Sequence, residues 1–140
     1  MILVVDASVA AKWFLRSRRD EAHVAQALAI LAGIDDGRVR MLQPPHFIAE
    51  IGAVLAREKP QDAQADLADL MAVEFEQAGD PALYPTACKL SVQLGHHLFD
   101  TLYHALALHT PGARLVTADR KYFDKARGIG HISYLPDLAL

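Results

Sequence analysis

The chain has 140 residues, is 52% apolar and 22% charged, and carries a formal net charge of −3. That length and mix predict a single domain spanning 1–140 with one core, and exclude a disordered chain or a coiled coil. The acidic balance excludes a generally basic nucleic-acid binder, so any contact with phosphates must use a local patch. The longest apolar run, Ala27–Ile34, is far shorter than the ~20 residues of a membrane span. The opening residues lack a basic segment, which predicts no signal peptide, and the single cysteine, Cys88, fits a reducing cytoplasm.

Ile2–Val5 is a short β-branched run and reads as a buried strand. Ser8 is placed to cap a helix through Leu15. A second helix is expected from Asp20, with Val24, Leu28, Leu31 and Ile34 on one face and Gly37 as its stop. Val39–Leu42 predicts a second strand, broken by Pro44 and Pro45. Phe47, Ile48, Ile51, Val54 and Leu55 fit one helix face. A long helix is expected over Asp62–Ala78, with Leu67, Leu70, Met71 and Phe75 inward. Ala82–Leu94 and Leu98–Leu108 read as two more helices separated by Gly95, and Cys88 in the first of them reads as a small packed hydrophobe. Arg114–Thr117 predicts a strand, Arg120–Ala126 a short helix, and Ile132–Leu135 a last strand. Apolar strands alternating with helices predict an α/β three-layer sandwich, a parallel sheet of four to five strands with helices on both faces.

Ligands of such sheets sit beyond the carboxyl ends of the strands, and two acids fall there. Asp6 follows the first strand, and Asp119 follows Leu115-Val116-Thr117. Two more acids lie in apolar surroundings: Glu50 between Ile48 and Ile51, and Asp100 beside Phe99 and Leu102. Each has an ordinary reading. Asp6, Asp100 and Asp119 are good helix caps, and the pattern alone leaves Glu50 as a boundary residue in water. What favours chemistry is the set. Four acids gathered in one place need a compensating cation, and hard oxygen donors suit Mg²⁺ or Mn²⁺ rather than Zn²⁺. Six other acids, Asp62, Asp66, Asp69, Glu74, Glu76 and Asp80, crowd a stretch without Lys or Arg, and read as a solvated or partner-facing flank.

Lys12, Arg16, Arg18 and Arg19 follow Asp6, while Arg114, Arg120, Lys121, Lys125 and Arg127 surround Asp119. They read equally as solvated helix faces or as a phosphate track, with Lys12, Arg16, Arg120 and Lys121 the candidate phosphate contacts. His96 and His97 lie at a helix break. His104 reads as a surface or boundary residue, with a supporting place beside the acids as the alternative. No zinc-ligand spacing occurs.

Four segments resemble motifs of the PIN-domain family, and within it the VapC-type toxins of toxin–antitoxin pairs. They are Ile2-Leu3-Val4-Val5-Asp6-Ala7-Ser8-Val9, His46-Phe47-Ile48-Ala49-Glu50-Ile51, Phe99-Asp100-Thr101-Leu102-Tyr103-His104-Ala105-Leu106-Ala107, and Leu115-Val116-Thr117-Ala118-Asp119. The resemblance covers Met1 to about residue 135. It departs from the family at Thr101, where alanine is commoner, and at His104, which is not a usual family feature. It implies Mg²⁺- or Mn²⁺-dependent endoribonuclease activity, with Asp6, Asp100, Asp119 and Glu50 as the catalytic, metal-holding acids. Ser8 and Thr117 would orient those ligands, an antitoxin protein would be the cognate partner, and a homodimer is expected. Two rivals share parts of the pattern. A non-catalytic, receiver-like phosphoacceptor would need an Asp ending a middle strand and a Lys ending a late one, and a partner-binding module would be the nuclease fold without its activity. A haloacid-dehalogenase-type phosphatase would need Asp-x-Asp after the first strand, where Ser8 stands instead.

Overall fold

A computed structural model describes residues Met1–Leu140. Five strands form one sheet, every neighbouring pair parallel: β1 (Ile2–Val5), β2 (Arg40–Gln43), β3 (Glu76–Gln77), β4 (Ala113–Thr117) and β5 (Ile132–Tyr134), in the order β3-β2-β1-β4-β5. Seven α-helices complete the three-layer sandwich: α1 (Ala7–Leu15), α2 (Val24–Asp35), α3 (Phe47–Glu58), α4 (Ala63–Met71), α5 (Leu83–Leu94), α6 (Leu98–His109) and α7 (Arg120–Ala126). None is long and apolar enough to cross a membrane.

The central strand explains itself. Leu3, Val4 and Val5 are wholly buried, because side chains on both faces of a covered parallel sheet must be apolar. Each such residue stabilises the fold by about 1.5–3 kcal/mol relative to exposure. β1 lies between β2 and β4, so the winding reverses direction there, and the crevice at its carboxyl end is the one such sheets use for ligands. α6 packs across β1 and β4 and against α5. Its residues Thr101–Ala107 are all buried, which is why its pattern is apolar on every side.

Burial of α6 corrects the expectation for His104, which is fully enclosed. Its Nε2 donates to the Gly130 carbonyl at 2.8 Å and its Nδ1 accepts from the Tyr122 hydroxyl at 2.8 Å. Burial holds its pKa below the usual range, so this neutral tautomer is the stable form. Cys88 is exposed. α5 turns Leu83, Ala87 and Leu90 inward, and a residue ~100° past Ala87 leaves that face.

Several element boundaries shift by a residue from the sequence reading, and three differences matter more. Asp6, not Ser8, is the N-cap of α1, accepting from the Ser8 amide. The second helix begins at Val24, with His23 at its N-cap, not at Asp20. The buried Lys12 draws the preceding loop inward, bonding Glu21 at 2.8 Å and the Ala22 carbonyl at 2.7 Å. The helix expected over Asp62–Ala78 stops at Met71, which is exposed. Phe75 then packs edge-on against Phe47 at 5.6 Å, and Glu76–Gln77 pair with Leu42–Gln43 as the edge strand. Tertiary pairing overrides the helical spacing there.

Gln43, also fully buried, completes the sheet at its functional end. Its Oε1 accepts from the Val5 amide at 2.7 Å and its Nε2 donates to the Val5 carbonyl at 2.8 Å. The side chain thus acts as one more rung between β2 and β1, while Pro44, which has no N–H to give, turns the backbone away. Gln43→Leu would orphan both buried Val5 groups, at about 1–3 kcal/mol each. Urea denaturation should therefore show a loss of roughly 2–5 kcal/mol, and a change within ~0.5 kcal/mol would contradict this role.

Candidate metal centre

The four acids come from four places in the chain and meet beyond the carboxyl ends of β1 and β4. Asp6 leaves β1 as the cap of α1, with its amide bonded to the Val116 carbonyl at 3.0 Å. Its Oδ2 accepts from the Ser8 amide at 3.3 Å, the Ser8 hydroxyl, and the Thr117 hydroxyl at 3.1 Å. Each hydroxyl also accepts an amide from the turn after β4, Ser8 from Ala118 at 3.0 Å and Thr117 from Asp119 at 3.1 Å. Ser8 and Thr117 therefore clamp Asp6 and the Asp119 turn into one unit. Asp119 caps α7 through Oδ1, which accepts from the Tyr122 amide at 3.1 Å. The ordinary reading of both residues is correct as far as it goes. Capping uses Oδ2 of Asp6 and Oδ1 of Asp119, and leaves the other oxygen of each without a hydrogen bond from the protein.

Asp100 caps nothing. His97 holds the N-cap of α6, and Asp100 sits in the first turn, where the helix macrodipole favours a negative charge. Its Oδ2 lies 3.1 Å from His96 Nε2, which is also 3.6 Å from Asp119 Oδ2. Glu50, one turn into α3, accepts from the Tyr103 hydroxyl at 2.5 Å and lies 3.4 Å from His46 Nε2. It is a held, half-buried group rather than a boundary residue in water. His46 Nε2 donates to the Phe99 carbonyl at 2.7 Å, and His46 Nδ1 is buried without a partner.

Proximity shows in the electrostatics. Burial raises Asp6 to about 6, and the Asp100 charge adds to the rise, against the hydroxyl bonds from Ser8 and Thr117. Burial raises Glu50 to about 7; the Tyr103 bond opposes this, while the charges of Asp6 and Asp100 add to it. Burial also raises Asp100, with His96 opposing and Asp119 adding. Burial keeps the Tyr103 hydroxyl protonated, and Glu50 reinforces that. Desolvated acids that repel one another are the setting in which a cation binds favourably.

Divalent-metal chemistry fits these residues. Carboxylate oxygens dominate the donor set, as hard cations require, and one ligand atom each from His96, Asp100 and Asp119 lie within 4.8 Å of one another. His96, His46, Tyr103 and Gln43 were not singled out as site residues from the sequence. Only the position of His96 four residues before Asp100, at a helix break, could have flagged it.

The basic residues do not gather as their sequence positions suggest. Lys12 is buried in its ion pair with Glu21, so its place in a phosphate track is withdrawn. Arg16 ends α1, roughly 15 Å along the helix from Asp6, and lines a groove of about 280 Å³ with Trp13, Phe14 and Lys59 that contains none of the four acids. Arg120 bonds Asp124 at 3.3 Å and lies 5.4 Å over the Tyr134 ring. Lys121 is exposed beside Asp119. Of the four, Arg120 and Lys121 alone stand at the start of α7, next in the chain to its cap Asp119. The rivals lack their residues: β2 ends in Gln43, β3 in Gln77 and β5 in Tyr134.

Because Asp6 and Glu50 bind protons more tightly folded than unfolded, their contribution to stability is fully present below about pH 4 and is lost as pH rises through 6 to 7. In EDTA the melting temperature of Asp6→Asn should therefore match or exceed that of the parent at about pH 8, with a shallower decline from about pH 5. A fall of many degrees would mean that Asp6 serves α1 alone.

No curated protein matches the chain. Among solved structures, it is similar to the crystal structure of PAE2754 from Pyrobaculum aerophilum, at 25% identity and a TM-score of 0.62, over 97% of this chain and 93% of that one. The family model described as PIN domain matches residues 3–129, a span that takes in four of the five strands and all four acids. The chain belongs to the PIN-domain family, whose fold is that of metal-dependent nucleases.

Proposed function

We propose that this chain is a Mg²⁺- or Mn²⁺-dependent endoribonuclease, the toxin of a type II toxin–antitoxin pair. The observation that carries the reading is the meeting of Asp6, Glu50, Asp100 and Asp119 at the switch point of the sheet, where burial and neighbouring charge raise the first three. Asp6, Asp100 and Asp119 would hold the ion, with Glu50 joining directly or through water. A bound divalent ion supplies Lewis-acid stabilisation of charge on the attacked phosphate and makes water easier to deprotonate.

The chain's own residues do the rest. Ser8 and Thr117 fix the Asp6 carboxylate and tie it to Asp119, as supporting groups do around metal ligands. Tyr103 holds Glu50. Arg120 and Lys121, at the start of α7 next to Asp119 in the chain, would hold the RNA backbone. Water adds in line to phosphorus and the 3′ oxygen leaves, giving 3′-hydroxyl and 5′-phosphate ends. The toxin role, the antitoxin partner, the homodimer and the cytoplasmic setting are supported by the likeness of the four motifs to VapC-type toxins. A short reading frame just upstream of this one would add support.

Asp100→Asn is the cleanest test, because Asp100 caps no helix. With Mn²⁺ and total RNA, the parent should cut and the variant should lose about 100-fold or more, with mapped 3′-hydroxyl and 5′-phosphate ends. Cleavage by the variant at the parent rate would end the proposal.

A further inference from the structure

Two imidazoles stand among the acids, and only one of them meets two carboxylates. His96 is about 12% exposed, and its Nε2 faces Asp100 Oδ2 at 3.1 Å and Asp119 Oδ2 at 3.6 Å. These two acids belong to different elements, the first turn of α6 and the cap of α7. The place of His96 two residues before the start of α6 brings the ring near Asp100 in that helix's first turn. It does not explain why the ring also meets Asp119, 23 residues later in the chain.

The imidazole is fixed before any ligand arrives. Gly95 ends α5 in the left-handed conformation, φ 59° and ψ 47°, which costs glycine nothing and turns the next residue back toward the strand ends. The His96 amide donates to the Ser91 carbonyl at 3.2 Å, and the Ser91 hydroxyl donates to the His96 carbonyl. The ring packs on Tyr122 with centroids 4.7 Å apart. Backbone and ring are thus both held, and the nitrogen points where Asp100 and Asp119 converge.

The geometry points to His96 as a nitrogen ligand of the same divalent ion, completing a triad with Asp100 and Asp119 and biasing the centre toward Mn²⁺ over Mg²⁺. The reading rests on the metal-dependent proposal above. Mg²⁺ favours hard oxygen ligands and keeps its waters, whereas imidazole suits later first-row ions. Ligation through Nε2 puts the ring proton on Nδ1. Lys125 Nζ, now 3.4 Å from Nδ1, then gives up that contact; it keeps the Gly95 carbonyl at 3.1 Å and remains exposed to water.

Pulsed EPR of Mn²⁺ added to the whole protein reads this directly, without RNA and without turnover. The parent should show ¹⁴N coupling of a ligated imidazole, His96→Gln should lose it, and His46→Gln should keep it. Titrations should show Mn²⁺ affinity falling about tenfold or more in His96→Gln and Mg²⁺ affinity changing less than about threefold. Parent Mn²⁺ that binds with no ¹⁴N coupling overturns the inference and leaves the nuclease reading standing, and this holds even if the variant fails to fold. Equal losses for both ions also overturn it, since His96 would then act on charge alone. Failure of the parent to bind Mn²⁺ or Mg²⁺ at all overturns both.

Discussion

Repulsion between carboxylates taken out of water organises this molecule. Asp6 is nearly buried and titrates at about 6, and Glu50 at about 7, each pushed up by burial and by the other acids. A fold with no use for that arrangement would relax it, since any of these residues could turn to solvent or become an amide at a gain in stability. Instead the surroundings hold it in place. Two hydroxyls bond Asp6, a buried tyrosine bonds Glu50, and a pinned histidine lies between Asp100 and Asp119. Stability is given up locally, at a place where a bound cation would restore it.

Much of the frame was legible because burial on both faces writes itself into composition. The runs at Ile2–Val5 and around Leu115-Val116-Thr117 can be little else than covered parallel strands, and the helix over Arg120–Ala126 matches its expected bounds. The acids stood out for the same reason, as charges set against apolar elements. Glu50 was the least legible. Its flank position looks wet from the helix alone, and only Tyr103, arriving from α6, makes it a held group.

What the chain order hid was long-range pairing. The two-residue strand at Glu76–Gln77 carries no strand pattern, and it exists because Leu42 and Gln43 offer a partner edge. Lys12 looked like part of a basic run until the loop beyond α1 folded Glu21 over it. His104 looked like a boundary residue until α6 proved buried all round. In each case the deciding neighbour lies many residues away or on another element, beyond the reach of periodicity.

The rung made by Gln43 has one more consequence. Because an amide side chain, and not the main chain, reaches across to Val5, the peptide path departs at Pro44 while the sheet's pairing runs on. That splits the lattice of strands just ahead of Asp6 and lets the helix of Glu50 begin three residues after Pro44, at Phe47. A strand continued by its own amides would have occupied that gap, and the glutamate would have been carried past the place where its charge is felt.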